Sequence, residues 1–420
     1  MSVRLHTLAN GVRVLCDPMP GLETIALSVV AGRGAAYEDE ARSGWSHLLE
    51  HMVFKGAGAR SARDIAEVIE AEGGQINAAT GYERTSFQVR ALKGGLPLGM
   101  EVLADLVLRP TLAEADLVKE KAVVAQEIAE ADDTPDDLVF ELAQSRAFAR
   151  QPLGRPILGA VESIGTATPQ TLGDWRAALY APDRLVVSAA GAVEEDELLA
   201  LAEQAFGGEH GEGPPARETP TFTGGRAPTL RKLEQAHYVA MLPAPGSRDP
   251  AYFALRVFAE ALGGGMSSRL FQEAREKRGL AYSIDAYADT YADTGLLGIY
   301  AGCRAGDAAE LARVAAGEIA ALAASIGDAE LARSKAQLKA HLFMSAERPL
   351  ARAEQSAGQV LMFGEPFASA HLAASIDAVT AADIAALGER LMAPRKTVGA
   401  VLGPKAAMGA PDAFERALFS

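Results

Sequence analysis

Cysteine is scarce in this chain: only Cys16 and Cys303 occur among its 420 residues. One pair so far apart in sequence forms neither a disulfide framework nor a cysteine zinc site. Both cysteines stand among apolar residues, so we expect buried free thiols in a reducing compartment.

Long hydrophobic runs are also missing. No window reaches the roughly 18 uninterrupted apolar residues of a membrane-spanning helix. The first residues, MSVRLHTLANGVRVL, lack the apolar core of a signal peptide. We therefore expect a cytoplasmic protein that makes no contact with a membrane.

Positive charge is in the minority, since 40 Lys and Arg face 55 Asp and Glu, for a formal net charge of −15. Nucleic-acid phosphates require a basic surface, so this balance argues against a nucleic-acid partner. The hydrophobic fraction of 49% and the charged fraction of 23% are typical of a soluble globular enzyme.

A stretch rich in glycine and proline, residues 209–228, divides the chain almost in half and predicts a linker. The two halves repeat each other. The same spacing separates Ser163 from Ser375, Thr168 from Thr380 and Gly191 from Gly403. A constant spacing of this kind indicates a duplicated domain. We therefore predict one domain over residues 1–208 and a homologous one over residues 229–420.

Each half mixes strand and helix patterns. Residues 25–30 and 85–89 are typical of strands, whereas residues 62–72 and 114–130 have helical spacing. Some strands are separated by short loops and others by helices. This arrangement predicts an α+β fold, with a mainly antiparallel β-sheet packed with α-helices in each of the two domains.

The strongest local pattern is His47-Leu48-Leu49-Glu50-His51. On a helix, His47 and His51 lie on one face because they are four residues apart. Two neutral imidazoles on one face can bind one zinc ion. Glu50 lies at the edge of that face, where it can act as a general base. The order of these residues is the inverse of the common His-Glu-x-x-His metalloprotease motif.

Glu120 and Glu127 share a face of the helix predicted over residues 114–130, two turns apart. Taken alone, either one is a further metal ligand or an ordinary solvated carboxylate. The spacing does not choose between these alternatives.

The inverted motif, the Glu120–Glu127 pair and the intervening run Gly-Gly-Gln-Ile-Asn-Ala-Ala-Thr together resemble the pitrilysin/insulinase family of zinc peptidases. Within that family, the chain is most similar to the mitochondrial processing peptidase branch and its bacterial relatives. The resemblance implies one zinc ion per chain with Glu127 as the third ligand. It also implies that Glu120 is a carboxylate supporting the catalytic site.

The resemblance further implies that a peptide substrate adds as an extra strand beside Asn77, Ala78 and Ala79. Glu83 would orient a ligand histidine through the second nitrogen of its ring, or it is simply a turn residue beside Gly81.

The second half carries no such metal motif, because His341 and Ser334 align with Glu127 and Glu120. Arg275 and Tyr282 have the spacing of a family pair that binds the substrate backbone and stabilises an oxyanion. Alternatively, Arg275 is an ordinary surface residue and Tyr282 an ordinary strand residue, without a role in the active site.

Family members enclose substrate between two duplicated units, so the resemblance implies that this chain forms a homodimer. The acidic run over residues 127–137 favours basic peptides as substrates, or it merely begins a helix at Thr134 and Pro135.

These patterns predict a zinc metalloendopeptidase that cleaves peptides or unfolded precursor segments bound as an added strand in a dimeric chamber. The alternative is a subunit of the same fold that is catalytically silent, or active only with a partner, and that acts as a peptide-binding scaffold.

Overall fold

The computed structural model describes residues 3–211, 213–214 and 217–420, so three positions of the predicted linker, 212, 215 and 216, lie outside the described residues. The chain forms two compact units. The first contains Met1–Ala129, Pro156–Glu218 and Phe343–Ser369, and the second contains Glu130–Arg155, Thr219–Leu342 and Ala370–Ser420.

Strands and helices are interspersed along the described chain. The strands are β1 (Arg4–Thr7), β2 (Arg13–Pro18), β3 (Thr24–Ala31), β4 (Gly56–Ala57), β5 (Arg60–Ser61), β6 (Gln75–Thr80), β7 (Thr85–Leu92), β8 (Leu185–Gly191), β9 (Gly225–Leu230), β10 (Ala236–Ala244), β11 (Ala281–Thr290), β12 (Gly295–Cys303) and β13 (Val398–Gly403).

The α-helices are α1 (Trp45–Val53), α2 (Ala62–Ala71), α3 (Leu96–Leu108), α4 (Glu114–Asp133), α5 (Pro135–Ala147), α6 (Val161–Gly165), α7 (Pro169–Leu179), α8 (Glu195–Phe206), α9 (Tyr252–Gly263), α10 (Ala308–Ala324), α11 (Asp328–Ala346), α12 (Pro349–Phe363), α13 (Ser369–Ala378), α14 (Ala381–Met392) and α15 (Ala410–Phe419). A π-helix covers Phe271–Lys277. Short 3-10 turns cover Ala35–Tyr37, Glu40–Arg42, Pro152–Gly154, Pro182–Arg184 and Lys405–Ala407.

Each unit is built on one main sheet. The first sheet has the order β1-β2-β8-β3-β7-β6 and the second has the order β11-β12-β10-β13-β9. In the first sheet only β2 and β8 are parallel, and in the second only β13 and β9 are parallel. The prediction of an α+β fold with two similar, mainly antiparallel sheets is therefore confirmed.

The repeated residues occupy matching places in the two units. Thr168 and Thr380 each accept a backbone N–H as the N-cap of a helix, α7 and α14 respectively. Gly191 and Gly403 end β8 and β13 with φ of 110° and 152°. These values lie in the left-handed region that glycine tolerates best. Matching caps and turns support a duplicated domain.

A helix is exchanged between the two halves of the sequence. α5 packs on β9, β10 and β13 in the second unit, whereas α12 packs on β2, β3 and β8 in the first. Compact packing therefore divides the chain differently from the order of the sequence. The boundaries at residues 208 and 229 stay a prediction about the duplicated sequence.

No single helix among the described residues is long and apolar enough to cross a membrane. The pair α13 and α14 reaches the required length and hydropathy only when it is taken together, and it is bent by 81°.

One buried ion pair joins the exchanged helix α12 to its sheet. Asp17 of β2 is 2% exposed, and it accepts two hydrogen bonds of 2.6 Å from Nε and Nη2 of Arg352. Such a two-pronged pair is among the stronger polar contacts in proteins, and losing one partner leaves the other charge buried.

We predict that Arg352→Ala lowers the free energy of unfolding by about 3 kcal/mol, because it leaves the Asp17 carboxylate buried and unpaired. Urea denaturation of the purified chain measures this change. The double variant Asp17→Ala/Arg352→Ala should recover part of the loss. A single variant as stable as the wild type would show that the pair does not anchor α12.

Candidate metal centre

The helix that carries the paired histidines, α1, is held at its first turn by a buried carboxylate. Gly44 precedes α1 with φ of 89°, and a side chain there would begin 2.5 Å from the carbonyl oxygen of Leu158. No side chain of α1 caps the helix. Glu38, 2% exposed, instead accepts the N–H groups of Gly44 at 2.8 Å and Ser46 at 2.7 Å. An acidic group is stabilising at a helix N-terminus.

The two faces of α1 have different surroundings. Its apolar side chains are buried in the core of the first unit: Trp45, Leu48, Leu49, Met52 and Val53. His47, Glu50 and His51 are only partly buried. Because the apolar residues recur at helical spacing, packing fixes the rotation of α1 and leaves these three side chains together on its other side.

The two histidines meet Glu127 of α4. Their ring centroids are 4.7 Å apart. Glu127 Oε2 lies 3.9 Å from His47 Nε2 and 3.6 Å from His51 Nε2. One ligand atom from each residue lies within 4.8 Å of the other two, and no other described residues form such a group. The structure therefore brings together the three residues predicted to bind zinc.

The chemistry of these three residues fits a zinc ion. Glu127 Oε2 is buried and has no hydrogen-bond partner among the described residues. Burial, followed by the charge of His51, lowers the pKa of His47 to about 4. The imidazole is then neutral at neutral pH, which is the form that binds metal. Three protein ligands of this kind, with a position left open, are typical of catalytic zinc sites.

Glu120 contacts the ring nitrogen of His51 that faces away from Glu127. It is 6% exposed, and its Oε2 lies 3.1 Å from His51 Nδ1 while its Oε1 lies 2.9 Å from Lys55 Nζ. A hydrogen bond to the second ring nitrogen fixes the orientation of a ligand histidine. Glu83 forms an ion pair with Arg217. The predicted role of Glu83 in orienting a ligand histidine stays a prediction.

Glu50 has the surroundings of a proton acceptor. Its Oε2 is buried and makes no hydrogen bond within the described part of the chain. The pKa of the Tyr180 phenol is raised, mainly by burial and secondly by the nearby negative charge of Glu50. Nothing in the sequence singled out Tyr180, since it stands at the end of a helix pattern before Ala-Pro.

The residues predicted to pair with a peptide substrate lie in β6. β6 pairs with β7 and ends the sheet order, so Asn77, Ala78 and Ala79 lie on an edge strand. Asn77 and Ala79 are exposed, whereas Ala78 is buried. Thr80 Oγ1 donates to the carbonyl oxygen of Ser46 at 3.4 Å, which links the end of this strand to α1.

Arg275 and Tyr282 belong to the second compact unit. Arg275 lies in the π-helix, with its guanidinium carbon 4.7 Å from the centroid of the Phe271 ring. Tyr282 lies in β11 and is 66% exposed. Their participation in the active site stays a prediction.

Comparison with known proteins identifies the family. A sequence profile described as Insulinase (Peptidase family M16) matches residues 13–161, and one described as Peptidase M16 inactive domain matches residues 166–338. The chain belongs to the M16 peptidase family. The first match contains the whole His47–His51–Glu127 cluster, and the second begins at the end of the first half and covers most of the half without a metal motif.

Relatives in this family span nearly the whole chain. An uncharacterized zinc protease of Mycobacterium leprae is 36% identical over 95% of this chain and 91% of its own. An uncharacterized zinc protease of Bacillus subtilis is 35% identical over 86% and 89%. The crystal structure of a protease from Helicobacter pylori has a TM-score of 0.88 at 20% identity, covering 96% of this chain and 99% of that one. At that identity the likeness shows the fold alone.

We predict that the purified wild-type protein retains about one zinc ion per chain, and that His47→Ala and Glu127→Gln each retain almost none, because each removes one of three ligands. Elemental analysis after dialysis against buffered zinc measures the content. Glu114→Gln, at the exposed start of α4, is the matched control and should bind zinc as the wild type does. Wild-type zinc content in both ligand variants would place the metal elsewhere.

Proposed function

We propose that the chain is a zinc metalloendopeptidase that hydrolyses peptides or unfolded precursor segments. The observation that carries this proposal is the meeting of His47, His51 and Glu127 beside Glu50, whose buried Oε2 makes no hydrogen bond to any other described residue. The names of the curated relatives as zinc proteases support the same metal and the same reaction class.

This arrangement assigns roles in the proposed reaction to Glu50 and Glu120. When bound, zinc supplies Lewis acidity, which polarises a carbonyl and acidifies a water molecule. Glu50 accepts a proton from the attacking water and later donates it to the leaving amine as the peptide C–N bond breaks. Glu120 keeps His51 oriented throughout, because its hydrogen bond is made to the nitrogen on the far side of the ring.

The edge strand β6 provides a place for substrate. A peptide paired with β6 adds one strand to the sheet through main-chain hydrogen bonds, which tolerate many sequences. Because Thr80 of the same strand bonds to Ser46 of α1, the edge and the metal helix are held in fixed relation within the first unit. This supports binding of the scissile bond near Glu50.

The second unit and a second copy of the chain would also take part in the reaction. Arg275 and Tyr282 would bind the substrate backbone and stabilise the oxyanion. Two copies of the chain would enclose the substrate, so the active species would be a homodimer.

We predict that Glu50→Gln lowers kcat/KM by about 10²–10⁴-fold while zinc content stays unchanged, because the amide cannot accept the proton. Cleavage of a mixed peptide library, read by mass spectrometry, measures the loss. Glu70→Gln, on the exposed face of α2, is the control and should cleave normally. Full activity in Glu50→Gln would overturn the role of Glu50, and an inactive wild type would favour a silent or partner-dependent subunit.

The acidic start of α5 generates a second prediction. Asp136 and Asp137 lie in its first turn, where they stabilise the helix dipole and also present negative charge. We expect arginine-rich peptides to be cleaved faster than matched arginine-free peptides. In the double variant Asp136→Asn/Asp137→Asn, the ratio of the two cleavage rates should fall roughly twofold to fivefold. This is the size of effect expected when an exposed charge pair is lost. Equal rates on both peptides by the wild type would contradict a basic preference.

A further inference from the structure

A chain of three side chains leads away from the metal cluster. His51 Nδ1 lies 3.1 Å from Glu120 Oε2, and Glu120 Oε1 lies 2.9 Å from Lys55 Nζ. The other ring nitrogen, His51 Nε2, points towards Glu127 at 3.6 Å. Lys55 thus stands two contacts behind a proposed metal ligand.

The position of Lys55 follows from the end of α1. The N–H of Phe54 bonds to the carbonyl of His51, and the N–H of Lys55 bonds to the carbonyl of Met52, so the last turn is closed. Gly56 then turns the chain with φ of 148°, where a side chain would lie 3.0 Å from Thr111 Oγ1. A lysine at the C-terminal end of a helix is also stabilised by the helix dipole.

Lys55 balances the charge of the buried Glu120 carboxylate. Glu120 is 6% exposed, and a carboxylate buried to that degree requires a partner for its charge. Lys55, whose side chain is 35% exposed, is the cation in contact with it. Because Lys55 holds one carboxylate oxygen, the other oxygen remains directed at His51.

The two histidines differ in this support. His47 Nδ1 is buried and has no hydrogen-bond partner among the described residues, so packing alone orients its ring. His51 is oriented by the hydrogen bond to Glu120. Any loosening of Glu120 therefore acts on one ligand and leaves the other in place.

We propose that Lys55 is a positioning residue for the metal centre, which fixes Glu120 so that this carboxylate holds the ring of His51 with Nε2 directed at the metal. The inference rests on the proposed zinc function and adds Lys55 to it. Lys55 acts through Glu120 and touches neither the metal nor the substrate.

Zinc affinity of the full-length, metal-free protein tests this role directly. The dissociation constant is measured by competition with a chromophoric chelator for the wild type, Lys55→Met, Lys55→Arg and Lys93→Met. Lys55→Met keeps the length of the side chain but removes its charge, and we expect zinc to bind about tenfold more weakly, as when other outer partners of metal ligands are lost. Lys55→Arg should restore most of the affinity because it keeps the charge.

Lys93→Met is the matched control, because Lys93 is an exposed lysine in the turn that follows β7. It should bind zinc as tightly as the wild type. Equal affinity in Lys55→Met and the wild type would overturn the proposal. So would an equal loss in Lys55→Met and Lys93→Met, or a failure of Lys55→Arg to restore binding.

A second readout is independent of bound zinc. In the metal-free protein, long-range proton–nitrogen NMR should show the proton of His51 on Nδ1, facing Glu120, in the wild type and in Lys55→Arg. In Lys55→Met this preference should weaken. A wild type that binds no zinc would defeat the proposed function itself, whereas tight zinc binding with an unchanged Lys55→Met would defeat only the role of Lys55.

Discussion

The metal cluster depends on how α1 is held at its first turn. Glu38 sits almost fully buried ahead of this helix and accepts two of its backbone N–H groups. Gly44 makes the approach possible, because a side chain there would collide with the Leu158 carbonyl. A buried charge with two donors resists rotation of the helix. The directions of His47 and His51 follow from that constraint together with the apolar packing of the opposite face.

Among the described residues, one of the two duplicated units carries a metal cluster. The five strands of the second sheet follow the order of five strands of the first, in which β1 is the additional strand, and α4 and α11 occupy corresponding places in the sequence. Where α4 has the buried Glu120, α11 has Ser334, which is also buried but whose hydroxyl donates to the carbonyl of Glu330 in its own helix. The scaffold was thus kept in both copies, while within the described residues the ligand set is present in one.

The sequence predicted what depends on local spacing. His47, Glu50 and His51 lie within one helix, so helical geometry alone places them together. The mixed, mainly antiparallel sheets were also predictable, because strand patterns follow one another through short loops. Glu127 required the family resemblance, since its contact with the histidines crosses a long stretch of chain that carries no periodic signal.

Other contacts could not be predicted for related physical reasons. The apolar stripe of a helix shows that it packs on a sheet but not on which sheet, so the exchange of α5 and α12 was not foreseen. The hydrogen bonds of Glu38 are accepted from backbone N–H groups. Nearly every residue has such a group, so the sequence gives no sign of which ones Glu38 contacts. The sequence indicated Glu120 only as a carboxylate supporting the site, and its contact with His51 Nδ1 became visible only in the structure, because it joins residues 69 positions apart.

The most direct test of the metal centre is a crystal structure of the zinc-loaded protein with anomalous data collected across the zinc absorption edge. We expect one zinc peak per chain, bonded to His47 Nε2, His51 Nε2 and a Glu127 oxygen at about 2.0–2.2 Å. Glu120 should remain on Nδ1 of His51, away from the metal. A zinc peak at other residues, or Glu120 in place of Glu127, would contradict it.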